Sequence, residues 1–112
     1  RGNETNDRLK KMIRFLKNIK ADSNQNIDLS SFDINAICYD IDISKYIDKS
    51  YYELVYTIYL QLDSICKNKT HSDRIVSVDG KEFIFRNNEN KLLNLRKLMT
   101  ELTTIFVDLY NR

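Results

Sequence analysis

Leu9, Met12, Ile13, Leu16 and Ile19 recur at the i, i+3, i+4, i+7 spacing that gathers apolar side chains on one stripe of an α-helix. With Thr5 or Asn6 as its cap, a first helix is expected over about residues 6 to 20. The polar run from Ala21 to Asn26 can bury little and is expected to be a loop. Ser30-Ser31-Phe32-Asp33 then has the spacing of a capping box, in which a serine hydroxyl and an acidic side chain satisfy each other's backbone amides. The helix it opens would bury Ile34, Ile37, Cys38 and Ile41. The same device recurs in Ser50-Tyr51-Tyr52-Glu53 and predicts a third helix to about Lys67, with Leu54, Val55, Ile58, Leu62 and Ile65 inward. A polar loop over 68–73 follows.

Period-two patterning enters only once. Ile75 to Val78 and Lys81 to Phe85 flank Asp79-Gly80, and Asp-Gly between β-prone runs favours a tight hairpin turn with positive φ at both central residues. Asn87 or Asn88 then caps a last helix, about 33 Å long at 1.5 Å per residue for some 22 residues. Leu92, Leu95, Met99, Leu102, Phe106 and Leu109 form a seam along it, as in the spine of an antiparallel bundle. The predicted fold is therefore mainly α: an antiparallel bundle of about four helices, with one short β-hairpin between the third and last helices.

Composition agrees with that picture. A chain of 112 residues has the length of a single domain, and thirteen Ile and twelve Leu supply a core. Pro is absent and Gly stands only at 2 and 80, which disfavours a many-turned β-sandwich and leaves no Gly-rich loop to cradle phosphate. No apolar run approaches a membrane span, so no membrane association and a cytoplasmic location are expected. Cys38 and Cys66 lack metal-site spacing and read as buried free thiols. The chain starts at Arg1 instead of Met, which suggests a piece of something longer.

Charge changes the picture more. Residues 1–20 carry seven Lys/Arg against Glu4 and Asp7, a net of +5, whereas residues 21–63 carry a net of −6 and the remainder +3. The basic opening helix either faces an anion or is simply a solvated helix face. Lys11, Arg14 and Lys17 succeed one another by single turns on the side away from the apolar stripe. Were Ser31, at the start of the second helix, to approach that side, unpaired backbone amides, a hydroxyl and cations would converge into an anion site. Asp33 opposes phosphate there unless it is otherwise engaged. The single His71 has no second His nearby, and Asp40-Ile41-Asp42 falls at a helix end, where alternate side chains diverge; both read as structural.

At these residues the sequence resembles the C-terminal helical domain of polymerase-β-like nucleotidyltransferases, the group of oligoadenylate synthases, cyclic GMP–AMP synthase and their bacterial relatives. In that family a helix of the form Lys-x-x-Lys/Arg-aromatic precedes a Ser-Tyr-type helix start. The matching stretches are Lys11-Met12-Ile13-Arg14-Phe15 and Ser31-Phe32, with Phe where the family usually has Tyr. The Val78-Asp79-Gly80 and Asn90-Lys91-Leu92 runs also look like bacterial members, so the likeness extends over nearly the whole chain.

The resemblance implies a nucleotide-binding lobe, ATP being among the expected ligands. Lys11, Arg14 and Ser31 would grip the triphosphate of a nucleoside triphosphate. The lobe would work beside an N-terminal palm domain of the same protein that carries the magnesium and the catalytic carboxylates. On that reading residues 1–112 bind no cofactor alone and are not catalytic alone, and a role in antiviral defence follows by analogy. The alternatives are a non-catalytic bundle that binds a partner protein or nucleic acid through its basic first helix, and an assembly domain that pairs through the Leu92–Leu109 seam.

Overall fold

A computed structural model describes residues 2–110, with side chains described from 7 to 109. Five helices follow one another: α1 over Gly2–Asp22, α2 over Ser31–Tyr39, α3 over Tyr51–Lys67, the short α4 over Lys69–Arg74 and α5 over Glu89–Tyr110. A 3-10 turn over Ile43–Tyr46 links α2 to α3.

Local signals set most of these boundaries. Both capping boxes form: Ser30 Oγ accepts from the Asp33 amide while Asp33 Oδ2 accepts from the Ser30 amide, and Ser50 and Glu53 repeat the exchange at α3. Asn88 Oδ1 accepts from the Lys91 amide and opens α5. Asn68 Oδ1 accepts from the His71 amide, so residues 69–74 close into one and a half turns of helix where a loop over 68–73 was expected.

The apolar stripes meet in one core. Met12 and Leu16 of α1, Ile34 and Ile37 of α2, Ile58 and Leu62 of α3, and Leu95, Leu98 and Leu102 of α5 are all fully buried. Burying side chains of this kind stabilises by about 1.5–3 kcal/mol each before chain entropy is counted. Thus the seam of α5 is spent inside the bundle, where α5 packs chiefly on α3 and also on α1. Tyr46 fills the gap beside α2 and donates its hydroxyl to the Cys38 carbonyl at 2.8 Å.

The predicted β-hairpin does not form as a ladder. Between α4 and α5 there is one isolated antiparallel bridge, Val76 with Phe83. The turn closes one residue early, with the Gly80 amide donating to the Ser77 carbonyl, and only Gly80, at φ +76°, takes the left-handed conformation expected of both Asp79 and Gly80. The Lys81 amide donates to Ser77 Oγ and Asp79 Oδ1, and the Glu82 amide donates to Ser77 Oγ. Side chains thereby take amide hydrogens that a ladder would need. One face of the pair packs on the core through Ile75, Ile84 and Phe85, but Val76, Val78 and Phe83 on the other stay exposed, and a two-stranded unit this short is marginal as a sheet.

Candidate functional site

The start of α2 is held in place from below by α5. In the preceding loop the Asp28 amide donates to Asn94 Oδ1 at 2.8 Å, Lys97 Nζ donates to the Asn26 carbonyl, and Ser23 Oγ donates to Glu101 Oε2. Ile27 and Leu29 are buried under the same loop. A polar stripe of α5, invisible to a reading of its apolar seam alone, therefore fixes where α2 begins.

Ser31 is the first residue of α2 and is exposed. Its amide and that of Phe32 belong to the first turn, where no helical carbonyl can receive them. Ser30 Oγ is used by the cap, so the hydroxyl left over is that of Ser31. Asp33, 3% exposed, is the carboxylate that would repel an anion here, and it is neutralised twice. One oxygen closes the capping box; the other receives Lys91 Nζ at 2.8 Å. The helix start is thus left with unpaired backbone donors and with the Asp33 charge cancelled.

Lys11 and Arg14 lie one turn apart on the exposed side of α1, which packs against α2. Neither makes an ion pair among the described residues, and neither is hydrogen-bonded to Ser31. Lys17, one turn further on, is half-buried, and its charge reaches Cys38 of α2. Phe32, beside Ser31, is 78% exposed, the most exposed large apolar side chain among the described residues. Sequence reasoning missed Lys91: only the need of a buried Asp33 for a counter-charge pointed to it, and tertiary packing supplied which cation.

A second polar cluster lies at the other end of α2. His71 Nε2 meets Asp40 Oδ2 at 2.7 Å and its Nδ1 meets Ser64 Oγ at 2.7 Å, while Gln61 Nε2 donates to both Asp40 Oδ2 and the Ile37 carbonyl. Arg74 adds a looser pair to Asp40 at 3.8 Å. These groups border an open cleft of about 470 Å³, yet they spend their hydrogen bonds on one another and so tie α4 to α2 and α3. Asp42 is used separately, to cap the 3-10 turn through the Ser44 amide, which pulls its carboxyl below the usual range. The two aspartates therefore serve different elements and do not converge as a metal-binding pair. Cys38 and Cys66 are free thiols, the first buried and the second half-buried. Among the described residues no helix is long and apolar enough to cross a membrane.

The helices and their shared core define the class as a mainly α-helical lobe in which the start of α2 is exposed. Residues 1–106 match the cGAS/DncV-like nucleotidyltransferase C-terminal helical domain. The chain belongs to that family. It is 51% identical over 106 residues to a c-di-GMP synthase of Capnocytophaga granulosa, covering 94% of this chain and 30% of that protein. It is 30% identical to the cyclic dinucleotide synthase CdnE of Yersinia aleksiciae, covering 90% of this chain and 28% of that protein. Among solved structures, the STING-associated CdnE c-di-GMP synthase of Capnocytophaga granulosa superimposes with a TM-score of 0.91 at 49% identity, over 97% of this chain and 36% of the other. The equivalent synthase from Flavobacteriaceae sp. gives 0.88 at 48% identity, over 96% of this chain and 31% of the other. The chain therefore spans about a third of the length of the relatives it matches.

Proposed function

We propose that this chain is the triphosphate-gripping lobe of a nucleotidyltransferase that makes a cyclic dinucleotide, with c-di-GMP the product its relatives' names favour. Arg14 and Lys11 place cationic donors against the β- and γ-phosphates, and the Ser31 hydroxyl, with the first amides of α2, donates to a phosphate oxygen. Holding the triphosphate from this side orients the α-phosphorus for in-line attack by an acceptor hydroxyl. Phe32, exposed next to Ser31, offers a ring face on which the base stacks. The magnesium that such transfer uses is assigned to carboxylates of a palm domain in the same protein, since Asp40 and Asp42 of this chain are already engaged.

The observation that carries this reading is the double engagement of Asp33, which leaves an anion-ready helix start beside a basic helix. A bundle that merely docks on nucleic acid or an acidic partner needs cations, but it has no use for a neutralised helix start with a free hydroxyl. The test is steady-state turnover of the full-length protein carrying this lobe. Arg14→Ala combined with Ser31→Ala should raise KM for the nucleoside triphosphate by at least about 30-fold, the loss of two charge-assisted or charged-group hydrogen bonds, with the thermal midpoint unmoved. Unchanged KM and kcat would place the phosphates elsewhere.

A further inference from the structure

Phe32, Asn35 and Tyr39 succeed one another along one face of α2 and, together with Ser77, Val78 and Asp79 of the facing turn, line a cavity of about 350 Å³. That is the scale of a small-molecule site. Two of its lining side chains, Phe32 and Tyr39, are aromatic and exposed, and Phe32 directly follows Ser31 in the chain.

Two residues that line this cavity carry an acceptor oxygen that no donor among the described residues engages, Asn35 a buried one and Asp79 an exposed one. Asn35 Oδ1 is shielded from solvent and receives no hydrogen bond, a state that costs about 1–3 kcal/mol when a buried polar atom is left unmet. Asn35 itself lines the cavity, and a turn about its Cβ–Cγ bond would be needed to bring Oδ1 to an incoming donor. Asp79 is anchored from one side only: Oδ1 accepts from Ser77 Oγ at 2.6 Å and from the Lys81 amide at 3.1 Å, and Oδ2 is left over. The Ser77 hydroxyl foremost, and then the Lys81 amide, hold this carboxyl below the usual range, so it stays ionised and acceptor-only near neutral pH.

A pair of acceptors beside a stacking ring calls for a flat ligand with adjacent donors on one edge. Guanine has them, in N1–H and the exocyclic N2 amino group. Adenine sets its N6 amino donor beside an N1 acceptor, which a carboxylate repels. We propose that this cavity selects guanine, with Asn35 Oδ1 and Asp79 Oδ2 accepting from N1–H and N2–H of a base stacked on Phe32. The assignment rests on the triphosphate reading and adds to it the residues that choose the base.

The test uses the full-length protein, with GTP, ITP and ATP as competing probes. ITP differs from GTP only in lacking the 2-amino group. The wild-type protein should prefer GTP to ITP in kcat/KM by at least about 10-fold, because a site built to hydrogen-bond a group rejects the analogue without it. Asp79→Asn keeps an oxygen for Ser77 and Lys81 but presents an amide donor in place of Oδ2, so the GTP-to-ATP ratio should fall by about 10-fold or more; Asn35→Leu should lower it in the same direction. Equal use of GTP and ITP by the wild-type protein overturns the proposal. So does a GTP-to-ATP ratio that stays within about twofold of wild type in both variants. The two readings fail separately, since loss of the Arg14 and Ser31 grip raises KM for GTP and ATP alike and leaves their ratio unmoved.

Discussion

The two ends of α2 hold polar groups of similar kind in opposite conditions. At its C-terminal end Asp40, His71, Ser64 and Gln61 close on one another, so that every donor is matched by an acceptor within the chain. At its N-terminal end the Asp33 charge is cancelled by Lys91 and Ser31 is exposed, while Lys11 and Arg14 are exposed on the neighbouring α1. The closed cluster holds helices together, and the open one leaves its donors available. Composition does not distinguish them, since both have Ser, Asp and a cation. What separates structural from ligand-binding polarity is whether the partners lie inside the fold.

The contrast can be broken most strongly at the closed end. His71→Leu leaves the Ser64 hydroxyl without its partner and Asp40 with only Gln61 and the looser Arg74, and should lower unfolding free energy by about 1–3 kcal/mol in a denaturant titration, with KM for triphosphate unchanged among the molecules that remain folded. Lys91→Met tests the hinge of the comparison, because Lys91 serves the fold and the open end together. It should cost about 1–3 kcal/mol of stability and also raise KM, since a bare Asp33 carboxylate then faces the phosphates. A loss of stability with KM unmoved would mean that no anion sits at this helix start.

Smaller effects sharpen the picture. Ser30→Ala removes only the cap and should cost about 1 kcal/mol, leaving the Ser31 hydroxyl in place and KM within about twofold. The core thiol gives a pH signature. Burial pushes Cys38 up from 9.0 to about 12, only partly opposed by the Lys17 charge, and burial likewise raises Tyr46. A raised folded-state value contributes stability in full below the unfolded value and loses it as pH climbs through the folded one. Unfolding free energy should therefore decline from about pH 9, by on the order of 1 kcal/mol at pH 10 for Cys38 alone, as followed by urea midpoints. At pH 8 iodoacetamide should label half-buried Cys66 ahead of Cys38, which reacts only when the chain opens.

The capped starts of α2, α3 and α5 and the inward faces of α1, α3 and α5 were legible in the chain, because capping and 3.6-residue periodicity are short-range properties that act within one or two turns, whereas α1 begins at Gly2, ahead of the expected Thr5 or Asn6 cap, and α4 was expected as loop. Lys11, Arg14 and Ser31 could be singled out for the same reason, as charge and an orphan helix start are local facts. The resemblance to nucleotidyltransferase helical domains was carried by those same short stretches, and family membership agrees with it. The hairpin was misjudged because its turn chemistry was read without asking what would cover Val76, Val78 and Phe83.

Other outcomes belonged to the assembled molecule. Nothing near Asp33 in the chain announces Lys91, nothing near His71 announces Asp40, and the meeting of Asn35 with Asp79 across one cavity joins residues far apart in sequence. The reason is physical: local propensities act through backbone geometry over a few residues, whereas desolvation of a charge or an amide obliges it to find whichever partner packing brings within reach. The amino-acid order determined the helices and their candidates for chemistry; folding alone decided which polar groups were satisfied and which remained open to a ligand.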